Sequence, residues 1–203
     1  IEPPTLVVPG NHDVYPWWFP IRRLMQPLAR YQSYVTENLA PAFDTDAVPG
    51  GVSVLGINTA FGATIKAGRL TKDHLARIRQ HFQAAEAAAF KVLVLHHHLT
   101  RIRSLGRHDI VWKAQAALDT AIDVGVDLVL CGHLHVSHIE PVDIVPGRRR
   151  LVVASAGTAT SNRGRDSNQA TNFYNRISVE ADTFTIEERR YLPDDDRFIR
   201  DSR

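Results

Sequence analysis

The sequence of 203 residues holds one cysteine, Cys131. A single thiol excludes an internal disulfide framework and is compatible with a reducing compartment, which points to the cytoplasm. No apolar stretch approaches the length of a bilayer-spanning helix, so a soluble chain without a membrane partner is expected. Charge of one sign is also missing: 24 Lys and Arg stand against 22 Asp and Glu, a formal net charge of +2. The local basic clusters, Arg148-Arg149-Arg150 and Arg163-Gly164-Arg165, are too small to dictate a nucleic-acid partner and read first as solvated surface. There is no internal repeat, low-complexity tract or Gly/Ser linker, so residues 1–203 read as one domain. The chain opens on Ile1, in a Pro-Pro step without a charged leader, and is read as beginning mid-domain.

What the sequence does have is clustered histidine. Seven of its 10 histidines fall in three groups: His12; His96, His97 and His98; and His133, His135 and His138. The segment KVLVLHHHLT (residues 91–100) poses the problem most sharply, because an apolar run ends on three rings whose nitrogens need partners once removed from water. Either these histidines face solvent in a surface loop, or they serve a metal at a strand end.

The pattern alternates strand-like and helical stretches. Strands are expected over Thr5–Val8, Val52–Asn58, Val92–Leu95, Leu128–Cys131, His138–Val145, Leu151–Ser155, Phe173–Val179 and Phe184–Tyr191. Wholly apolar runs such as VLVL and LVLC suit strands buried on both faces, whereas NFYNRISVE and TFTIEERRYL alternate like half-exposed antiparallel strands. Thr71 can cap a helix running to about Phe90, and Ala114–Val124 is a second helix. Between the first two strands, Pro16, Pro20 and Pro27 interrupt regular structure, and Leu24, Leu28 and Tyr31 mark a short packed helix. Tyr15, Trp17, Trp18 and Phe19 read mainly as a hydrophobic cap on the core, with one or two available to wall a substrate pocket.

Three strands end on related groups. TLVV is followed by Pro9-Gly10-Asn11-His12-Asp13, VLVL by His96-His97-His98, and LVLC by Gly132-His133-Leu134-His135. In an open sheet of βα units the carboxyl ends of the strands meet at one edge, so these groups can converge. Imidazole with an Asn carbonyl oxygen suits zinc, manganese or iron. In an extended loop His133 and His135, two residues apart, point the same way and could reach two neighbouring metals or straddle one.

GNHD, a strand ending in HH, and GHLH, in this order, resemble the calcineurin-like metallophosphoesterase superfamily. The PLARY, VLGINTA, IKAGRL and AGTATSNRGR segments are similar to its bacterial cyclic-nucleotide phosphodiesterase-like members. The resemblance implies an α/β fold, a metallophosphoesterase-type sandwich of two mixed β-sheets flanked by helices. It also implies hydrolysis of phosphate esters, most directly phosphodiesters, by a metal-bridging hydroxide. Two divalent or trivalent ions (Mn, Fe or Zn) would serve, with small-molecule phosphate esters as substrates and cyclic nucleotides the first candidates. Carried over by position, Asn11, His96 and His133 would hold one ion and His135 would belong to the other. His12 would stabilise phosphoryl oxygens or protonate the leaving oxygen, with Asp13 holding its ring; on local sequence alone Asp13 also reads as a turn or capping residue.

The family's Asp-x-His and bridging Gly-Asp motifs, which precede GNHD, have no counterpart in this chain. Two ions held only by neutral donors repel strongly, so the chain is read as lacking its first two βα units, about 60 residues. Without those carboxylates it also fits a catalytically inactive binding or scaffold module. A nuclease is the other alternative, although the charge balance offers no extended basic groove.

The remaining candidates divide as follows. His97 is expected to point away from its neighbour and support it, His138 to be structural, and Cys131 to be a small apolar filler with thiolate ligation a minor option. His98 stands where many relatives carry proline and is left facing the pocket or solvent. Asn58, Arg163 and Arg165 are candidate substrate contacts, and Lys66 is in the same class.

Overall fold

The computed structural model describes residues 3–102, 105, 106, 108–142, 151–161, 171–180 and 183–201. Its elements are α1 (Pro20–Met25), α2 (Ala29–Tyr34), β1 (Ala42–Thr45), β2 (Val52–Ile57), α3 (Lys72–Ala84), β3 (Phe90–Leu95), α4 (Ala114–Asp123), β4 (Leu128–Cys131), β5 (His138–Val142), β6 (Leu151–Ser155), β7 (Phe173–Val179), β8 (Phe184–Leu192) and β9 (Arg197–Arg200).

The continuous apolar runs form β2, β3, β4 and β6, which pair in parallel at the centre of a six-stranded sheet of order β1-β2-β3-β4-β6-β5. The two edge strands, β1 and β5, are antiparallel to their neighbours. Successive side chains then go to opposite layers. Leu93 and Leu95 of β3, with Leu55, Ile57, Val129 and Val153, pack against Ile78 and Phe82 of α3 and Ala117, Leu118 and Ala121 of α4. Val54, Val92, Leu128 and Ala154 face Ile177 of β7 and Phe184 and Ile186 of β8. The second sheet is the antiparallel meander β7-β8-β9. Helices, mixed sheet and small sheet thus form the expected α/β sandwich, and the alternating strands NFYNRISVE and TFTIEERRYL build its half-exposed layer.

Local chemistry sets the helix ends. The Thr71 hydroxyl accepts the His74 N–H at 3.2 Å and His74 Nδ1 accepts the Thr71 N–H at 3.4 Å, a reciprocal cap. At the other ends of the helices, buried Lys91 donates from Nζ to Phe82 O (2.8 Å) in the last turn of α3 and to Val124 O (3.1 Å), the C-cap of α4. That ammonium satisfies carbonyls that the helices leave unpaired.

Two expectations need correction. Thr5–Val8 is extended but lacks a ladder partner among the described residues, so its β-branched side chains make no strand; Leu6 and Val8 instead lie over Gly56, where an added Cβ would meet them at 2.8 and 2.7 Å. The α3 helix stops at Ala84 rather than near Phe90, because Phe90 is drawn into β3 opposite Val52 and packs on Phe184 at 4.9 Å. β1 and β9 are short strands whose apolar periodicity is too brief to stand out. The end of the expected strand His138–Val145, from residue 143, lies outside the described residues. Among the described residues, no helix is long and apolar enough to cross a membrane.

Candidate metal centre

Strands β3 and β4 are parallel neighbours, so the loops leaving their carboxyl ends lie side by side, tied by the Gly132 N–H donating to His96 O at 3.0 Å. The Gly10–Asp13 turn closes against them. Its backbone bond runs from Asp13 N–H to Gly10 O (3.1 Å), and the Asp13 carboxylate accepts the Gly10 N–H (2.8 Å). Gly10 is needed for space: a Cβ there would meet the His96 ring at 2.6 Å.

Three groups far apart in sequence therefore converge. Asn11 Oδ1 lies 3.1 Å from His96 Nε2 and 3.2 Å from His133 Nδ1, and the two nitrogens are 3.3 Å apart. His97 joins them, its ring centroid 4.8 Å from that of His96 and 4.6 Å from that of His133. One donor atom from each of His96, His97 and His133 falls within a 4.8 Å cluster. The expectation that His97 faces away is overturned, because strand pairing ends at Leu95 and the chain bends at His96 and His97, where strict alternation no longer holds. His97 Nδ1 is 2.8 Å from the Thr59 hydroxyl, while its Nε2 is buried without a hydrogen bond. Gly68 makes room for this ring, since a Cβ there would meet His97 Cγ at 2.5 Å.

The electrostatics favour neutral rings. Burial, followed by the neighbouring His133, His12 and His135, holds His96 down to about 3. Burial and then His96 and His133 hold His97 down to about 2, against the pull of the Lys66 carbonyl. Neutral imidazoles keep the lone pair that a metal requires. The spacing fits as well: donors bonded to one tetrahedral ion at about 2.0–2.1 Å sit about 3.3 Å apart, close to the edges of the Asn11, His96 and His133 triangle. Neutral donors whose atoms crowd at this distance, beside an unsatisfied buried nitrogen, suit a zinc-, manganese- or iron-type ion.

The other candidates fall out as follows. The GHLH loop is not extended: His133 (φ 70°) and His135 (φ 59°) are both left-handed. His135 nevertheless lines the same cleft as Asn11 and His133, although it stands outside the tight cluster. His12 is exposed on this cleft. Asp13 lines it too, but its carboxylate closes the Gly10 turn, and among the described residues no hydrogen bond joins it to His12. His98 faces neither pocket nor solvent; it is buried between β4 and β6, its Nε2 3.1 Å from Ser155 Oγ and its Nδ1 3.6 Å from Cys131 Sγ. Burial pushes the Cys131 thiol up to about 12, which leaves it the inert filler expected. Asn58 accepts the Ala60 N–H at 2.8 Å and lines a different cavity, with Leu39 and Phe61, so the structure does not bring it to the histidines. Arg163 and Arg165 lie outside the described residues.

The cleft measures about 830 Å³, and its lining includes Trp17, Trp18, Tyr34, Arg30, Lys66, His108 and Asp109. The aromatic run after GNHD and Lys66 hinted at this lining, whereas Arg30 and Tyr34 carried no signal. Arg23 is buried: it donates to Tyr15 O and to Thr64 O (2.5 Å) and stacks 4.1 Å from the Trp17 ring centroid.

The fold is similar to that of the purple acid phosphatase PPD1 from yellow lupin (Lupinus luteus) seeds, with a TM-score of 0.56 at 11% identity over 86% of this chain. The chain spans 35% of that protein's length. No curated protein matches. A family model described as calcineurin-like phosphoesterase matches residues 2–137, well over half of the sequence, and the chain belongs to that family of metal-dependent phosphoester hydrolases.

Proposed function

We propose that this protein hydrolyses phosphodiesters at the centre built by Asn11, His96 and His133, with cyclic nucleotides the first substrates to test. The observation that carries the reading is the triangle of Asn11 Oδ1, His96 Nε2 and His133 Nδ1, with sides of 3.1 to 3.3 Å. These three would hold one ion of manganese, iron or zinc, with buried His97 beside them and His135 directed to a second ion. Bound metal supplies Lewis acidity, screening phosphoryl charge and acidifying a water from about 15.7 towards about 7.

The chain's own side chains do the rest. His12, exposed on the cleft, is placed to protonate the leaving oxygen. Asp13 acts as a positioning residue, fixing through Gly10 the turn that carries both Asn11 and His12. Arg30 and Lys66 on the cleft wall supply charge for the phosphate. All the donors in the tight cluster are neutral, so a second ion calls for carboxylates from outside it. We take residues 1–203 as belonging to one such domain, acting in the cytoplasm.

The test is metal content by mass spectrometry together with turnover of bis-p-nitrophenyl phosphate. Two equivalents of metal with turnover support the enzyme. A folded protein that takes up little metal and turns over nothing is instead a binding module of the same fold.

A further inference from the structure

His98, the third ring of the HHH run, has no place in the metal centre. It is 1% exposed, and its side chain reaches across to the segment that carries His133 and His135. Its Nδ1 lies 3.6 Å from Sγ of Cys131, the residue that enters the GHLH loop. Its Nε2 lies 3.1 Å from Oγ of Ser155, and that hydroxyl donates at 2.8 Å to the carbonyl of Val136, the residue that leaves the loop. Ser155 is itself fixed in the sheet, in register with Cys131 on one side and His138 on the other. One buried ring thus touches both ends of the loop, directly at Cys131 and through Ser155 at Val136.

The loop needs such holding. His133 and His135 are left-handed (φ 70° and 59°), a conformation unfavourable for residues with a Cβ that persists only where the surroundings over-determine it. Buried Leu134 and Val136 anchor the loop by apolar contact, but that force is non-directional, whereas hydrogen bonds fix orientation. We propose that His98 is a positioning residue which, by bracing both ends of the GHLH loop, sets where His133 and His135 present their rings to metal. The inference rests on the metal-centre reading and adds to it a side chain that touches neither metal nor substrate. It also accounts for a histidine, rather than an apolar residue, in the space between β4 and β6.

Zinc affinity measured by competition with a chelating dye, and the visible spectrum of the cobalt-substituted protein, read the centre directly. His98→Ala should weaken zinc binding about 10-fold or more, as when partners that orient metal ligands are removed, and should shift the cobalt bands. Ser155→Ala, a smaller change, should act by the same route, so the double variant should bind no more weakly than His98→Ala alone. His98→Gln, whose amide can still bond Ser155, should recover most of the affinity. Lys91→Met, which weakens the fold at the opposite end of β3, should leave the zinc affinity of the folded protein unchanged. Wild-type affinity and spectrum in His98→Ala overturn the proposal, as they do in Ser155→Ala should His98→Ala not fold. Additive losses in the double variant, or an equal loss in Lys91→Met, overturn it too. Zinc uptake by the wild type that the variants do not alter removes this inference alone; a folded wild type that takes up no zinc removes the metal-centre reading as well.

Discussion

Asn11 is the residue on which the site turns, because its single carbonyl oxygen reaches both His96 and His133. Asn11→Ala or His133→Ala should therefore abolish occupancy of that ion and lower turnover about 100-fold or more, read by metal analysis beside kcat. His12→Ala should lower kcat by a similar factor with metal content unchanged, as expected for loss of a proton donor. Wild-type rates in all three would remove the assignment. A quieter test lies at Gly68. A methyl there would press on His97 at 2.5 Å, so Gly68→Ala should cost about 1–3 kcal/mol in a denaturant titration and also weaken metal binding by displacing that ring.

At the level of elements, the four central strands were readable because a strand covered on both faces must be apolar throughout, as VLVL and LVLC are. HHH and GHLH were readable as one site because their parallel strands end at one edge, whereas GNHD joins them from an extended segment that has no ladder partner among the described residues. The direction of His97 is not legible from alternation, because the ladder stops at Leu95 and the chain bends there. Asn58 lines a cavity apart from the histidines for a related reason: being at a strand end fixes the edge it occupies but not the cavity it opens to. The His96–His98 segment also makes a prediction for the metal-free protein. The three rings are held down to about 3, 2 and 4, below the ordinary 6.5. Between those values the unfolded chain binds protons that the folded chain does not, so stability is full above about pH 6.5 and falls on acidification. The thermal midpoint should drop between pH 7.5 and pH 5, and a flat profile would show that these rings are not buried neutral.

For the whole molecule, cohesion of the layers depends on a few polar crossings as well as on the core. Lys91 reaches the carboxyl ends of both large helices from within the sheet, and its own N–H donates to buried Asp127 at 2.9 Å. Lys91→Met should cost about 1–3 kcal/mol, because it strands two buried carbonyls while leaving the apolar stem in place. Denaturant midpoints would measure this, with no change expected in the metal affinity of what remains folded.

The left-handed backbone at His133 and His135 has a further consequence. A left-handed conformation costs a side chain with a Cβ about 1–2 kcal/mol, which glycine avoids, while glycine's greater freedom in the unfolded chain takes back about 0.5–1 kcal/mol. At these two positions, then, the fold itself would accept glycine at little or no loss. Backbone ease and the proposed metal ligation therefore pull in opposite directions at the GHLH loop, so glycine at either position is expected to weaken metal uptake without loss of stability.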